Sequence, residues 1–160
     1  LALAADKAGW RSPVPAGRGR GLACSFDHLS YAAVVVEASM QAGRIVVHRA
    51  VCAADCGTIV NRSGARAQIE GAITHGLSAA LHERMTIDRG GAVETNFHAY
   101  RLLRIDEAPR AIDVHFVDRP DVHVTGLGEP ALPVMAPALA NALYRATGRR
   151  LRTLPLAPLA

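Results

Sequence analysis

Three sets of residues in this sequence have types and spacings that could do chemistry: an acid in a glycine-rich turn, a polar helical face, and three cysteines. The acid is Glu129, in Thr125-Gly126-Leu127-Gly128-Glu129-Pro130. Two glycines permit a tight turn and close approach of a ligand to the backbone. Pro130 biases Glu129 towards extended backbone and suits the first position of a following helix, so Glu129 is expected at or near an N-cap. A carboxylate held there can cap the helix or serve as a general base. The local sequence leaves both readings open.

The polar face is Gln68, Gly71, His75, Ser78 and His82. His75 and His82 are seven residues apart, about 10 Å along one helix, too far to share a metal comfortably. No His-Glu-x-x-His pattern occurs, so one packed and one exposed histidine is the expectation. Gly76-Leu77-Ser78-Ala79-Ala80 is half of a nucleophile elbow, but it lies within a helix and lacks the second glycine, which makes Ser78 structural. Gly126-x-Gly128 lacks the third glycine of a dinucleotide fingerprint and puts an acid where a pyrophosphate would approach. Cys24, Cys52 and Cys56 cannot all pair within one chain, and they fall short of the four thiolates that an iron–sulfur cluster usually takes. Buried free thiols are expected, and no metal-ligating residue is assigned.

The elements that must position these groups read as follows. Leu1 to Ala8 is helical, and Gly9 to Gly17 is a loop. Arg20 to Asp27 is a strand, with Gly17-Arg18-Gly19-Arg20-Gly21 as the loop entering it. The β-branched run in Tyr31 to Met40 makes a buried strand, and Gln41-Ala42-Gly43 turns it back into Arg44 to Ala54 as an antiparallel hairpin. From Asn61, a good N-cap, the period changes to three and four residues, with Ala65, Ile69, Ala72, Ile73, Gly76, Leu77, Ala80 and Leu81 as one apolar stripe. Gly64 and Gly71 each weaken this helix by up to about 1 kcal/mol relative to alanine, so they call for close packing or a ligand. Met85 to Asp88 and Ala92 to Thr95 flank a turn at Arg89-Gly90-Gly91, residues 96–109 are irregular, and Ala111 to Val117 alternates as a half-buried strand. The last helix starts either at Pro130 with a kink or cleanly at Pro137, buries Leu139, Ala142, Leu143 and Ala146, and ends at Gly148. Arg149 to Ala160 is extended. The fold class is therefore α+β: a mainly antiparallel sheet packed with two substantial helices, about 61–83 and 133–147.

At 160 residues, 50% of them hydrophobic, the chain suits one domain. No apolar run reaches the roughly 18 residues of a membrane span. The net charge of +4 comes from scattered arginines, Lys7 being the only lysine, and aromatic content is 4%. Dispersed arginines with little to stack bases on argue against nucleic acid.

Several stretches, in this order, resemble the molybdopterin-binding subunit of the molybdenum hydroxylases, the xanthine dehydrogenase and aldehyde oxidase family, with the isoquinoline 1-oxidoreductase type nearest. They are Ala53-Ala54-Asp55-Cys56-Gly57 with Val60-Asn61; Ala67-Gln68-Ile69-Glu70-Gly71-Ala72 with Gly76-Leu77-Ser78-Ala79-Ala80-Leu81; Asn96-Phe97-His98-Ala99-Tyr100 with Leu103-Arg104; Gly126-Leu127-Gly128-Glu129-Pro130; and Ala136-Pro137-Ala138-Leu139-Ala140-Asn141-Ala142 with Ala146-Thr147-Gly148-Arg149-Arg150. The family usually has Asn-Pro where this chain has Asn61-Arg62.

The resemblance implies that residues 1–160 are one C-terminal molybdopterin-binding domain of a larger subunit, inactive when isolated. It implies oxidation of an N-heteroaromatic or aldehyde carbon with water-derived oxygen, on molybdenum-molybdopterin, in its cytosine dinucleotide form. Glu129 matches the family's glutamate base and Gln68 the glutamine beside the pterin, with Gly71 and Gly128 offering backbone to the cofactor. Burial near the metal centre is expected for Glu129. The implied partners are the upstream part of the subunit and an iron–sulfur subunit or domain. A rival is a scaffold of the same fold that binds no cofactor. The compartment, cytoplasmic or periplasmic, stays open.

Overall fold

The computed structural model describes residues 1–156. Its centre is a four-stranded sheet in the order β1-β2-β3-β6, formed by β1 (Arg18–Asp27), β2 (Ser30–Gln41), β3 (Arg44–Asp55) and β6 (Ile112–Phe116). The first three strands are antiparallel, and β6 joins β3 in parallel. The helices are α1 (Ala2–Lys7), α2 (Arg62–Leu81) and α3 (Met135–Thr147), and β4 (Ile87–Asp88) with β5 (Gly91–Ala92) forms a separate small hairpin. The α+β expectation with two substantial helices is met. No helix among the described residues is long and apolar enough to cross a membrane.

The continuous apolar run in β2 reflects burial on both faces. Ala32, Val34, Val36 and Ala38 point into the main core with Ile69, Ile73 and Leu77 of α2 and Leu139 and Leu143 of α3. Their alternates Ala33 and Val35 pack with Ala4, Ala8 and Trp10 on the other side. Each large core side chain contributes roughly 1.5–3 kcal/mol by leaving water. Cys52 lies within the main core, and burial pushes its thiol up to about 12.

Helix α2 begins where the sequence places it. The Asn61 side chain accepts a bond from Gly64 N at 2.9 Å, which caps the helix. At its far end Ser78 is buried and accepts from Leu103 N at 3.0 Å, while Tyr100 donates to Glu83 at 3.0 Å. These bonds pin the irregular stretch 96–109 to the helix. His82 packs 3.3 Å from Glu107, and His75 is exposed.

Several expectations need correction. Helix α3 starts at neither Pro130 nor Pro137 but at Met135, with Pro137 in the first turn, where its missing N–H leaves no bond unmade. Met135 and Ala138 join its buried stripe, Ala146 is only partly buried, and Gly148 closes it in the left-handed conformation at φ 75°. Strand β1 starts at Arg18 and not at Arg20, so Gly19 belongs to it with Gly21 and not to an entering loop: a Cβ on them would lie 2.1 Å from Ala142 O and 2.0 Å from Ala138 O, so α3 sits directly on the strand. Arg18 and Arg20, on the opposite face, both bind Glu37. Gln41 ends β2 and Gly91 begins β5 instead of turning, because each two-residue turn needs only its Ala42-Gly43 or Arg89-Gly90 pair. Cys24 is exposed, unlike Cys52 and Cys56, because the start of β1 but not its end is covered. Of the extended tail, residues 157–160 lie outside the described residues; Leu156 is buried and donates to Ala80 O at 2.7 Å.

Candidate functional site

The Glu129 turn is fastened to the end of the sheet where β1 passes into β2 and β3 ends. The Ser30 hydroxyl lies 2.6 Å from both Thr125 Oγ1 and Gly126 O, and Ser25 Oγ donates to Pro130 O at 2.6 Å. Thr125 N donates to Cys56 O and Thr58 N to Val122 O, both at 3.0 Å. Gly57, at φ 71°, makes this pairing possible: a Cβ there would stand 2.2 Å from His123 O. Arg119 binds Asp55 at 3.0 Å, and Arg62 at the start of α2 binds Asp118. Burial, with the adjacent Asp55 charge, raises the Cys56 thiol and keeps it unreactive.

This scaffold brings the sequence-assigned residues together in part. A Cβ on Gly128 would be 3.7 Å from Gln68 Oε1, so the polar face of α2 and the Glu129 turn adjoin although 60 residues separate them. Gln68 and Gly71 are both exposed on α2, and a Cβ on Gly71 would meet nothing within 4 Å. Gly71 thus presents bare helix backbone to open space, a surface another molecule can approach closely.

Glu129 itself departs from expectation twice. It does not cap α3, whose N-cap is Val134, without a side-chain cap bond. Glu129 instead opens a tight turn, with Leu132 N donating to its carbonyl at 2.8 Å, because Pro130 and Ala131 are drawn into the core before the helix begins. Nor is it buried: its side chain is 71% exposed in this chain. Two neighbours not singled out from the sequence flank it. His28 Nδ1 lies 3.0 Å from Asp27 Oδ1 and 3.8 Å from Glu129 Oε2, and the ligating atoms of the three residues lie within 4.8 Å of one another. Exposed acidic groups commonly gather in this way without an ion, and no metal is assigned to them. The only sequence signal was an Asp-His pair at a strand end, and Ser25 and Ser30 gave none.

The sequence pattern of the molybdopterin cofactor-binding domain matches residues 4–109. The chain belongs to this family, that of the molybdenum hydroxylase large subunits. It is 35% identical over 159 residues to isoquinoline 1-oxidoreductase subunit beta of Brevundimonas diminuta, covering 96% of this chain and 20% of that protein. It is 37% identical over 123 residues, 77% of this chain and 16% of the other, to the membrane-bound aldehyde dehydrogenase [pyrroloquinoline-quinone] of Gluconacetobacter polyoxogenes, which is named for a different cofactor. Among solved structures, the aldehyde oxidoreductase of Desulfovibrio desulfuricans ATCC 27774 superposes with a TM-score of 0.69 at 29% identity, over 81% of this chain and 15% of that one. The chain thus spans a fifth or less of the length of these relatives. Other relatives are named as the molybdenum-binding subunits of an aldehyde oxidoreductase and of a xanthine dehydrogenase.

The donor set suits a pterin cofactor. The exposed Gln68 side chain offers an uncharged amide donor and acceptor beside Gly128, and Gly71, three residues along the same helix, leaves room for close approach.

Proposed function

We propose that this chain supplies the base-bearing part of a molybdenum hydroxylase active site, oxidising an N-heteroaromatic or aldehyde carbon with water-derived oxygen. The observation that carries the reading is the junction of Gln68 with Gly128, immediately before Glu129. In this reading Gln68 donates its amide to the pterin, and Gly71 and Gly128 let the cofactor approach their backbone. The cofactor, in its cytosine dinucleotide form, supplies the two-electron acceptor. Glu129 takes up the proton released as the substrate carbon is attacked, and the Ser25 and Ser30 bonds keep its turn from shifting. The exposed carboxylate becomes enclosed when the rest of the subunit docks over the turn. An iron–sulfur subunit or domain then accepts the electrons.

Glu129→Gln in the full-length subunit should lower kcat by about 10²–10⁴-fold, the usual contribution of a positioned general base. Its side chain is exposed in this chain, so the variant should fold and load normally. Unchanged turnover would remove Glu129 from the mechanism. The exposure of Glu129 favours a second reading, a scaffold without cofactor. Elemental mass spectrometry of the purified parent subunit separates the two: near one molybdenum per subunit supports the hydroxylase, and none in a well-folded preparation from molybdate-replete cells supports the scaffold. The same measurement tests the pyrroloquinoline-quinone alternative raised by one relative's name.

A further inference from the structure

The turn between β1 and β2 adopts backbone that its residues disfavour, and it does so beside Glu129. Among the described residues, three two-residue hairpin turns place both of their residues at positive φ. Ala42 (φ 48°) is followed by Gly43 (φ 76°) and Arg89 (φ 48°) by Gly90 (φ 82°), so glycine relieves the second position. In the third, His28 (φ 48°) is followed by Leu29 (φ 63°), with no glycine at all. Strain of this kind persists where the surroundings hold it, and it gathers at sites of function.

What the turn achieves is the placement of one imidazole. The hydrogen bonds from Ser25 and Ser30 reach the main chain of the Glu129 turn and leave the direction of its carboxylate unset. His28 Nδ1 stands 3.8 Å from Glu129 Oε2 and 3.0 Å from Asp27 Oδ1. In the tautomer that carries its proton on Nδ1, the N–H lies on the side of both carboxylates. That ring edge is within 3.8 Å of an oxygen of each, Asp27 and Glu129.

We propose that His28 is a positioning residue for Glu129, its Nδ1–H setting the direction of the Glu129 carboxylate. The inference rests on the reading of Glu129 as the base. The contact closes to hydrogen-bond length by a small rotation of either exposed side chain, as such contacts do when a site fills.

The test compares two variants of the full-length, cofactor-loaded subunit. His28→Gly keeps the positive φ and removes the N–H. His28→Asn also tolerates the left-handed region and puts an amide N–H near the place of Nδ1. His28→Gly should lower kcat about tenfold with KM unchanged, as expected for an orientation lost. Its melting temperature should equal or exceed that of the wild type, because glycine relieves the turn, and its molybdenum content should not change. His28→Asn should recover most of the lost kcat. A wild-type kcat in His28→Gly would overturn the proposal, as would a fall in kcat that comes with a fall in melting temperature or is equally large in His28→Asn. Glu129→Gln measured alongside keeps the two readings apart. If it turns over normally, the base reading fails; if it is silent while His28→Gly is fully active, only the positioning role fails.

Discussion

Strand β1 runs between two different environments. At its start Gly19 and Gly21 lie under α3 with no space for a Cβ, and Arg18 and Arg20 close on Glu37 from the other side. At its end Cys24 and Phe26 are exposed, the turn carries His28 into solvent, and Ser25 holds the Glu129 turn. Small and polar residues serve both ends, but to different purposes. Where this chain fills the space beside a glycine, the glycine belongs to the fold. Where the space stays open in the middle of a helix, as at Gly71, no packing among the described residues requires the glycine.

Gly21→Val should break the closed end. Its Cβ would stand 2.0 Å from Ala138 O and 2.2 Å from Ala142 N, all of it backbone that no rotamer change can move aside. Overpacking of this kind costs about 3 kcal/mol or more, a large share of a domain's marginal stability. Chemical denaturation and soluble yield of the subunit would register it. A variant as stable as the wild type would mean that α3 does not sit on β1.

A smaller effect comes from Glu37. Burial alone would raise its pKa, but hydrogen bonds and charge from Arg18 and Arg20 outweigh it and hold the carboxyl below its ordinary value. A lowered folded-state pKa means that the unfolded chain binds the proton more tightly. The Glu37 contribution is therefore fully present above the unfolded-state value and is lost as pH falls through the folded-state one. The pair is largely enclosed, Arg20 and Glu37 being 13% and 14% exposed, so screening takes away only part of it. Glu37→Gln should cost about 1–2 kcal/mol at pH 7 and flatten the acid limb of the stability–pH curve, read by urea midpoints from pH 7 down to pH 3. An unaltered acid limb would show that the two arginines are indifferent to the charge.

How much of this was legible depends on whether a residue's role is local. The cap at Asn61, the turns at Ala42-Gly43 and Arg89-Gly90 and the stop at Gly148 all act within a few residues of themselves, and each was readable. Gly19 and Gly21 were not, because the helix they accommodate lies more than 100 residues further on. The N-cap expectation for Glu129 failed for a similar reason: Pro130 is buried by the core and spends its conformational restriction on a turn, not on a helix start. The neighbourhood of Gln68 and Gly128 followed from family resemblance and could not have come from spacing. His28 and Asp27 gain meaning only when two strands and a distant turn are brought to one end of the sheet.

The smallest change in stability has the opposite sign and bears most directly on the open end. Gly71 lies in the interior of α2 with nothing near its absent Cβ, so Gly71→Ala should stabilise the chain by about 0.5–1 kcal/mol through helix propensity alone. If the bare backbone exists for the pterin, the added methyl should also lower the molybdenum content of the subunit several-fold. A gain in melting temperature paired with a loss of metal would be the mark of a glycine kept for function at the expense of fold. Full metal content in a stabilised variant would remove Gly71 from the cofactor site while leaving Gln68 and Gly128 in place. A destabilised variant would show that the space beside Gly71 is filled by another part of the subunit, and that this face of α2 is an interface within the protein.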